Sequence, residues 1–396
     1  MATFHFRENR LLPLMVLLSL LCGYPRALTA QQPRPVDEDS SALLHVTSPL
    51  DYEVFQRQTK LEGVVLMQGR AAAGADRVEA LVADGTLGGK RWRPVALDRS
   101  THEFRDAMKA HSGGFYSVRV RAFTGSRVIA QAEIAHVGVG EVFVIAGQSN
   151  STNYGEVRQT PETGKVSTFS GTEWRLADDP QPGVQDGSSK GSFIPAFGDA
   201  MYRRYGVPIG VASVGHGSTS VRQWLPKGEN AEVMPTMGKY IVKGEDGALT
   251  SDGTLFEGMM KRIDELGPHG FRAVLWHQGE SDADQPLEHT ISAETYRRMT
   301  VKVIDSARKR SGWEIPWFVA QVSYHTPADQ GNPAIRAAQK SLWESGVALE
   351  GPDSDTLTIA YREKNGQGTH MNAAGLKAHG ELWAQAVERY LDRVLR

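Results

Sequence analysis

The alternation of hydrophobic and polar positions changes character along the 396 residues. From about 42 to 135 the chain runs in short stretches of period two. Tyr116, Val118, Val120 and Ala122 point one way and Ser117, Arg119 and Arg121 the other. Thr124-Gly125-Ser126 then turns the chain, and Val128, Ala130, Ala132 and Ile134 resume the alternation. This pattern predicts a β-hairpin with one buried face. Runs at 61–67 and 78–83 read as further strands, so 42–138 is expected to form a small all-β sandwich domain. From 139 onward the rhythm becomes strand, loop, helix. Apolar runs at 142–146, 208–214, 272–276, 317–322 and 356–360 read as strands. Between them lie helical spacings: Tyr296, Met299, Val303 and Ala307 share one face, and Leu376, Trp383, Val387, Leu391 and Val394 stripe the last helix. Strands apolar on both faces, alternating with helices, predict an α/β domain over 139–396 with a parallel sheet covered on both sides. Two long connections, 151–192 and 225–253, follow strands and are expected to wall a groove.

The first thirty residues read differently. Arg7 and Arg10 precede an apolar stretch over 11–22, and Ala27-Leu28-Thr29-Ala30 closes the segment. That is the layout of a signal peptide over 1–30, too short to span a bilayer comfortably, followed by a Gln-, Pro-, Asp- and Ser-rich linker at 31–41. The expectation is export to a periplasm or the extracellular space, with no membrane attachment after cleavage. Removal of 1–30 leaves 41 basic and 45 acidic side chains. A balance this close to neutral gives no electrostatic reason for a nucleic-acid partner. The one cysteine, Cys22, lies in the leader. Without it, intrachain disulfides, thiolate zinc sites and a cysteine nucleophile are excluded, so packing alone must hold the fold.

The candidate chemistry gathers where strands end. Val142-Phe143-Val144-Ile145-Ala146 runs into Gly147-Gln148-Ser149-Asn150, which places a nucleophile just past a buried strand and, if a helix follows, near its N-terminus. Gly215-His216-Gly217-Ser218-Thr219-Ser220 follows the second strand, and Trp276-His277-Gln278-Gly279-Glu280-Ser281-Asp282 ends the third. Gly368-Thr369-His370 precedes the last helix. In a parallel sheet all four reach one edge. Acyl transfer needs a base for the serine, and the imidazole of His370 titrates in the right range. It also needs donors for the developing oxyanion, for which the N–H groups of Ser149 and Gly217 and the Gln278 amide are candidates. Trp224, Trp276 and Arg222 are candidates for substrate contact, the tryptophans through their aromatic faces and Arg222 by pairing with a carboxylate; each has an equal reading as a core or structural residue. The His277–Asp284 stretch matches no metal-ligand spacing with a mechanism behind it, so no metal and no cofactor is expected.

These four segments resemble those of the SGNH/GDSL hydrolase superfamily, in its sialate O-acetylesterase-like and acetylxylan-esterase-like branch, over 139 to the C-terminus. The resemblance implies a three-layer α/β/α domain that removes acetyl groups from carbohydrates without a metal. It implies Ser149 as nucleophile, His370 as base, and Gly217 and Gln278 as oxyanion donors. One position departs from the pattern. The aspartate usual three residues before the histidine is Gln367 here, and an amide supplies no charge to an imidazolium. Glu280 is then the candidate to support His370; a Ser–His dyad and a non-catalytic glycan-binding protein on the same fold are the alternatives, and sugar transacetylation is a third.

Overall fold

The computed structural model describes residues 43–84, 91–329 and 331–395. The leader and linker expected at 1–41 lie outside the described residues. The chain from 39 onward is one compact unit. No helix among the described residues is long and apolar enough to cross a membrane.

Eight strands open the chain: β1 (Leu44–Ser48), β2 (Val54–Gln56), β3 (Glu62–Ala71), β4 (Arg77–Val82), β5 (Arg93–Val95), β6 (Glu103–His111), β7 (Gly113–Thr124) and β8 (Arg127–Gly147). β1, β3 and β6 form a three-stranded sheet. β4, β5 and β7 pair with one another and, through β7, with β8. Side chains of both groups share one core: Val65, Met67, Phe104 and Met108 from the first, Val78, Ala80, Val118 and Val120 from the second. The predicted hairpin is β7–β8, in which Val120 faces Ala132 and Val118 faces Ile134. Gly125 takes a positive φ of 58° at its tip.

β8 departs from expectation. It is one strand of 21 residues, antiparallel to β7 at its start and flanked by parallel strands at its end. The boundary expected at 138/139 therefore falls inside a strand, and the β region and the α/β region share one mixed sheet of eleven strands.

The remaining strands are β9 (Val166–Phe169), β10 (Trp174–Leu176), β11 (Ile209–Ser213), β12 (Ile241–Lys243), β13 (Leu249–Ser251), β14 (Ala273–His277), β15 (Trp317–Gln321) and β16 (Leu349–Asp353). The central order is β10-β9-β11-β8-β14-β15-β16. Every neighbouring pair from β9 to β16 is parallel, and β10 closes one edge antiparallel. The major helices are α1 (Ile194–Tyr205), α2 (Thr254–Leu266), α3 (Ala293–Ser311), α4 (Pro333–Glu344) and α5 (Ala373–Val394). Alternate residues of β8 point to opposite faces. Val142, Val144 and Ala146 pack with residues of α2, α3 and α4, and Phe143 and Ile145 with residues of α1 and α5. In α3, Tyr296, Met299, Val303 and Ala307 are all buried as their spacing predicts. In α5, Val394 is exposed rather than part of the stripe.

The expected strand at 356–360 is instead a pair of 3-10 turns, Ser354–Thr356 and Ile359–Tyr361. The fifth strand is β16, whose sequence Leu-Glu-Gly-Pro-Asp carries a weak strand signal. An edge position tolerates a proline that a central one would not. β9, inside the connection read as a loop, was hidden by its brevity.

Candidate active site

Six parallel strands of one sheet deliver their carboxyl ends to one edge, and the four segments meet there. Gly147 ends β8 at φ 126° with its backbone against His277, so a side chain there would fall onto the His277 carbonyl oxygen. Ser149 opens a three-residue 3-10 turn, Ser149–Ser151, rather than a helix, so the dipole expected from a helix N-terminus is missing. The residues flanking it are clamps. Gln148 Oε1 accepts hydrogen bonds from the Gly279 N–H at 3.2 Å and the Ser281 N–H at 3.0 Å. Asn150 Nδ2 donates to Glu280 Oε1 at 3.0 Å and to the Thr369 carbonyl at 3.4 Å. One amide next to Ser149 thus holds both the Glu280 segment and the residue before His370. The His216 N–H donates to the Gly147 carbonyl at 2.9 Å and brings in the Gly217 segment.

His370 is supported by a residue that the sequence reading missed. Its Nδ1 lies 2.9 Å from Glu363 Oε1. A carboxylate only accepts, so Nδ1 carries the proton and Nε2 keeps its lone pair. Burial holds the His370 imidazole below its ordinary value; the charge and hydrogen bond of Glu363 pull the other way without overcoming it. The ring is thereby biased toward its neutral form. Glu363 reaches it because Lys364, Asn365 and Gly366 all have positive φ, of 54°, 56° and 86°, and fold the chain back on itself. The Glu363 N–H donates to the His370 carbonyl at 2.9 Å and closes that return. The Asn-Gly pair was the available signal, since it favours such a turn. Gln367 is exposed at the tip of the return.

Glu280 does not take the expected place beside His370. Its carboxylate is buried, 3.2 Å from His277 Nε2 and bonded to Asn150. Burial would raise its pKa, but His277 and the Asn150 hydrogen bond hold it below the ordinary carboxylate value. Behind it, the His277 ring meets the fully buried His379 edge-on at 4.8 Å. Burial presses the His379 pKa far below its ordinary value, and its Nε2 accepts from Trp383 Nε1 at 3.1 Å.

Two expected oxyanion donors are engaged elsewhere. Gln278 Nε2 donates to Asp282 Oδ2 at 2.7 Å and to the Thr219 carbonyl at 3.1 Å, so this amide is a structural tie. The Gly217 N–H donates to Asp186 Oδ2 at 2.6 Å. Tyr154 covers the site: its ring stacks on His370 with centroids 5.0 Å apart, and its Cε2 would lie 2.6 Å from a Cβ at 217.

The three expected substrate contacts are interior residues. Trp224 and Trp276 are both 0% exposed and pack edge-to-face at 5.1 Å. Arg222 is also 0% exposed; it bonds Ser220 Oγ at 2.7 Å and the Val233 and His289 carbonyls, and lies 3.4 Å from Asp282 Oδ1. Aromatic and basic residue types cannot by themselves separate a substrate face from a core, and here desolvation decided against contact. The long connections do reach the site: 151–192 brings Tyr154 and Asp186, and 225–253 brings Tyr240, whose hydroxyl lies 3.1 Å from His216 Nε2.

Asp284, His325 and Asp329 each place a possible metal-ligating atom within 4.8 Å of the others. His325 turns Nε2 toward Asp284, at 3.7 Å, and Nδ1 toward Asp329, at 3.6 Å. Both separations exceed hydrogen-bonding range, and Nδ1 is buried without a hydrogen-bond partner.

Serine, histidine and glutamate gather at the carboxyl edge of this mixed sheet. The chain belongs to the family described as carbohydrate esterase, sialic acid-specific acetylesterase, whose model matches residues 139–389. No curated protein matches the chain. Among solved structures it is similar to a carbohydrate acetylesterase from Xanthomonas citri, with 19% identity, 87% of this chain and 75% of that one covered, and a TM-score of 0.54. It is also similar to a protein from Arabidopsis thaliana, with 20% identity over 63% of this chain and 98% of that one, at a TM-score of 0.45. At these identities the likeness to solved structures concerns the fold.

Proposed function

We propose that this chain is an exported carbohydrate O-acetylesterase working through an acetyl-Ser149 intermediate. The observation that carries the reading is the buried His370–Glu363 pair, bonded through the neighbouring Thr369 carbonyl to the residue that follows Ser149. His370 Nε2 takes the Ser149 proton as the hydroxyl oxygen attacks the acetyl carbonyl. Glu363 stabilises the imidazolium that forms, and the ring then protonates the departing sugar oxygen. Water repeats the sequence and frees acetate. The Ser149 N–H is one donor to the tetrahedral oxygen. Glu280 acts at one remove, by fixing Asn150 and so the nucleophile loop. The Gln367 departure, which motivated a non-catalytic reading, loses its force because the carboxylate arrives from Glu363. Export rests on the charged and apolar pattern of 1–30.

Acetate release from acetylated sialic acids, xylans and pectins tests the reading. Turnover by the wild type that vanishes in Ser149→Ala is expected. Sugar binding without turnover would sustain the lectin-like alternative, and acetyl transfer to an added sugar would point to a transacetylase.

A further inference from the structure

The Gly217 N–H cannot serve an oxyanion while it serves Asp186. A peptide nitrogen carries one proton, and Asp186 Oδ2 takes it at 2.6 Å. A carboxylate in that place also repels the negative charge that the reaction builds on the carbonyl oxygen. Resting on the esterase reading above, we propose that Asp186 is a specificity-determining residue. It blocks the Gly217 donor in the free enzyme and yields it when a sugar hydroxyl beside the acetyl group takes the carboxylate instead.

The surroundings suit a short displacement. Gln185 is anchored by its N–H to the Gly215 carbonyl and by its amide to the Val214 and Leu255 carbonyls. Gly191 is anchored by reciprocal hydrogen bonds to Gly155. Between them, 186–190 is half-buried to exposed, and the exposed Gly187 has no atom within 4 Å of where a Cβ would stand. Asp186 Oδ1 accepts from the Ser188 N–H at 2.9 Å and from Ser188 Oγ at 2.5 Å, so carboxylate and Ser188 form one hydrogen-bonded unit. The backbone beyond it is held, with the Lys190 N–H donating to the Asn153 carbonyl at 2.9 Å and Arg158 to the Ser189 carbonyl at 2.8 Å, so the displacement required is a rotation of the Asp186 side chain off Gly217. Ser188 Oγ also accepts from the Asn153 N–H at 3.2 Å, which ties that unit to the nucleophile loop. Once displaced, Oδ2 is an acceptor in need of a donor. An ester flanked by free hydroxyls supplies one within reach, and a plain aryl ester does not. The substrate class is thus an acetylated sugar with a free hydroxyl next to the ester.

The test is kcat/KM of wild type and Asp186→Ala on 4-nitrophenyl acetate and on a monoacetylated glycoside with a free vicinal hydroxyl. Removing a hydrogen bond to a charged group changes rates by about tenfold or more. Asp186→Ala should therefore gain about tenfold on the aryl ester and lose about tenfold on the glycoside. Opposite signs on the two substrates are the signature, because a structural lesion lowers both. Changes of the same sign, or none on either, overturn the proposal. If Asp186→Ala fails to fold, Asp186→Asn keeps the shape without the charge; its amide oxygen still accepts, so it must show a crossing of the same signs but smaller size. A wild type that turns over neither ester refutes the esterase reading itself, an outcome distinct from a wild type that is active but shows no crossing.

Discussion

Glutamine in place of Glu363 keeps the shape of the side chain and removes one charge. That charge sits against Nδ1 of His370 at 2.9 Å, with the carboxylate buried and the ring largely so. When Ser149 gives up its proton, the imidazolium lies about 4 Å from the centre of the carboxylate. At an effective dielectric of about 20, that attraction is about 4 kcal/mol. With about 1.4 kcal/mol per decade of rate, its full loss approaches a thousandfold, and a glutamine oxygen that still accepts the Nδ1 proton recovers part of it. Glu363→Gln is therefore expected to lower kcat by about 10² to 10³. The pH dependence gives a second reading. Burial lowers the His370 pKa and Glu363 opposes that fall, so without the carboxylate the pKa drops further. The base works in its neutral form, so activity is present above this pKa. The acid limb of kcat/KM should then move to lower pH while the plateau falls. Stopped-flow or steady-state assays of acetate release between pH 4 and pH 9 (roughly the span over which a perturbed imidazole titrates) read both. The exposed Gln367 serves as control, and Gln367→Ala should leave plateau and limb in place. A Glu363→Gln profile that overlays the wild type, or a Gln367→Ala variant with the larger loss, would refute the assignment.

Two further outcomes follow from burial. Arg222→Met strips Asp282 of its buried cationic partner, leaving the carboxylate with Ser220 Oγ, the Val221 N–H and Gln278 Nε2. Orphaning a buried charge costs about 3–5 kcal/mol. Thermal unfolding should show a large drop, while KM of the folded fraction stays unchanged; the reverse result would mean that Arg222 reaches substrate. Gly147→Ala forces a methyl onto the His277 carbonyl oxygen and should abolish soluble enzyme. Gly125→Ala, at a positive φ but in open space, should cost only about 1 kcal/mol by chemical denaturation. Similar stability in the two variants would contradict the close approach at Gly147.

The sequence was most legible where burial and geometry leave one solution. The fully apolar 142–146 could only be a central strand, and the alternation on either side of Gly125 could only be a hairpin. The convergence of four strand-end segments followed from parallel topology. Position within a segment was harder. Arg222, Trp224 and Trp276 have the residue types of a sugar-binding face, and their burial depends on packing partners as remote as His289. Glu363 is invisible to a fixed three-residue spacing because three successive left-handed residues, not sequence distance, bring it to His370. The partner of Gly217 is Asp186, on a separate turn that no local pattern announces, whereas Gln278 is taken by Asp282 within its own segment. β16 was missed for a related reason: a strand that carries Gly and Pro is stabilised by its neighbour β15 rather than by its own residues.

The length of β8 has a further consequence. A single extended backbone carries the hairpin at one end and the nucleophile turn at the other, and near its middle Glu141 accepts from both Arg57 and Arg272. The opening strands are thus rooted in the strand that ends at Gly147 rather than hung beside it. Trimming the chain back to the matched family region would cut β8 within its length and leave Glu141 without Arg57. An insertion of one residue before Gly138 would flip the inward and outward faces of the ribbon as far as the register could slip. Exchange of the β region for another would have to preserve that register to the residue.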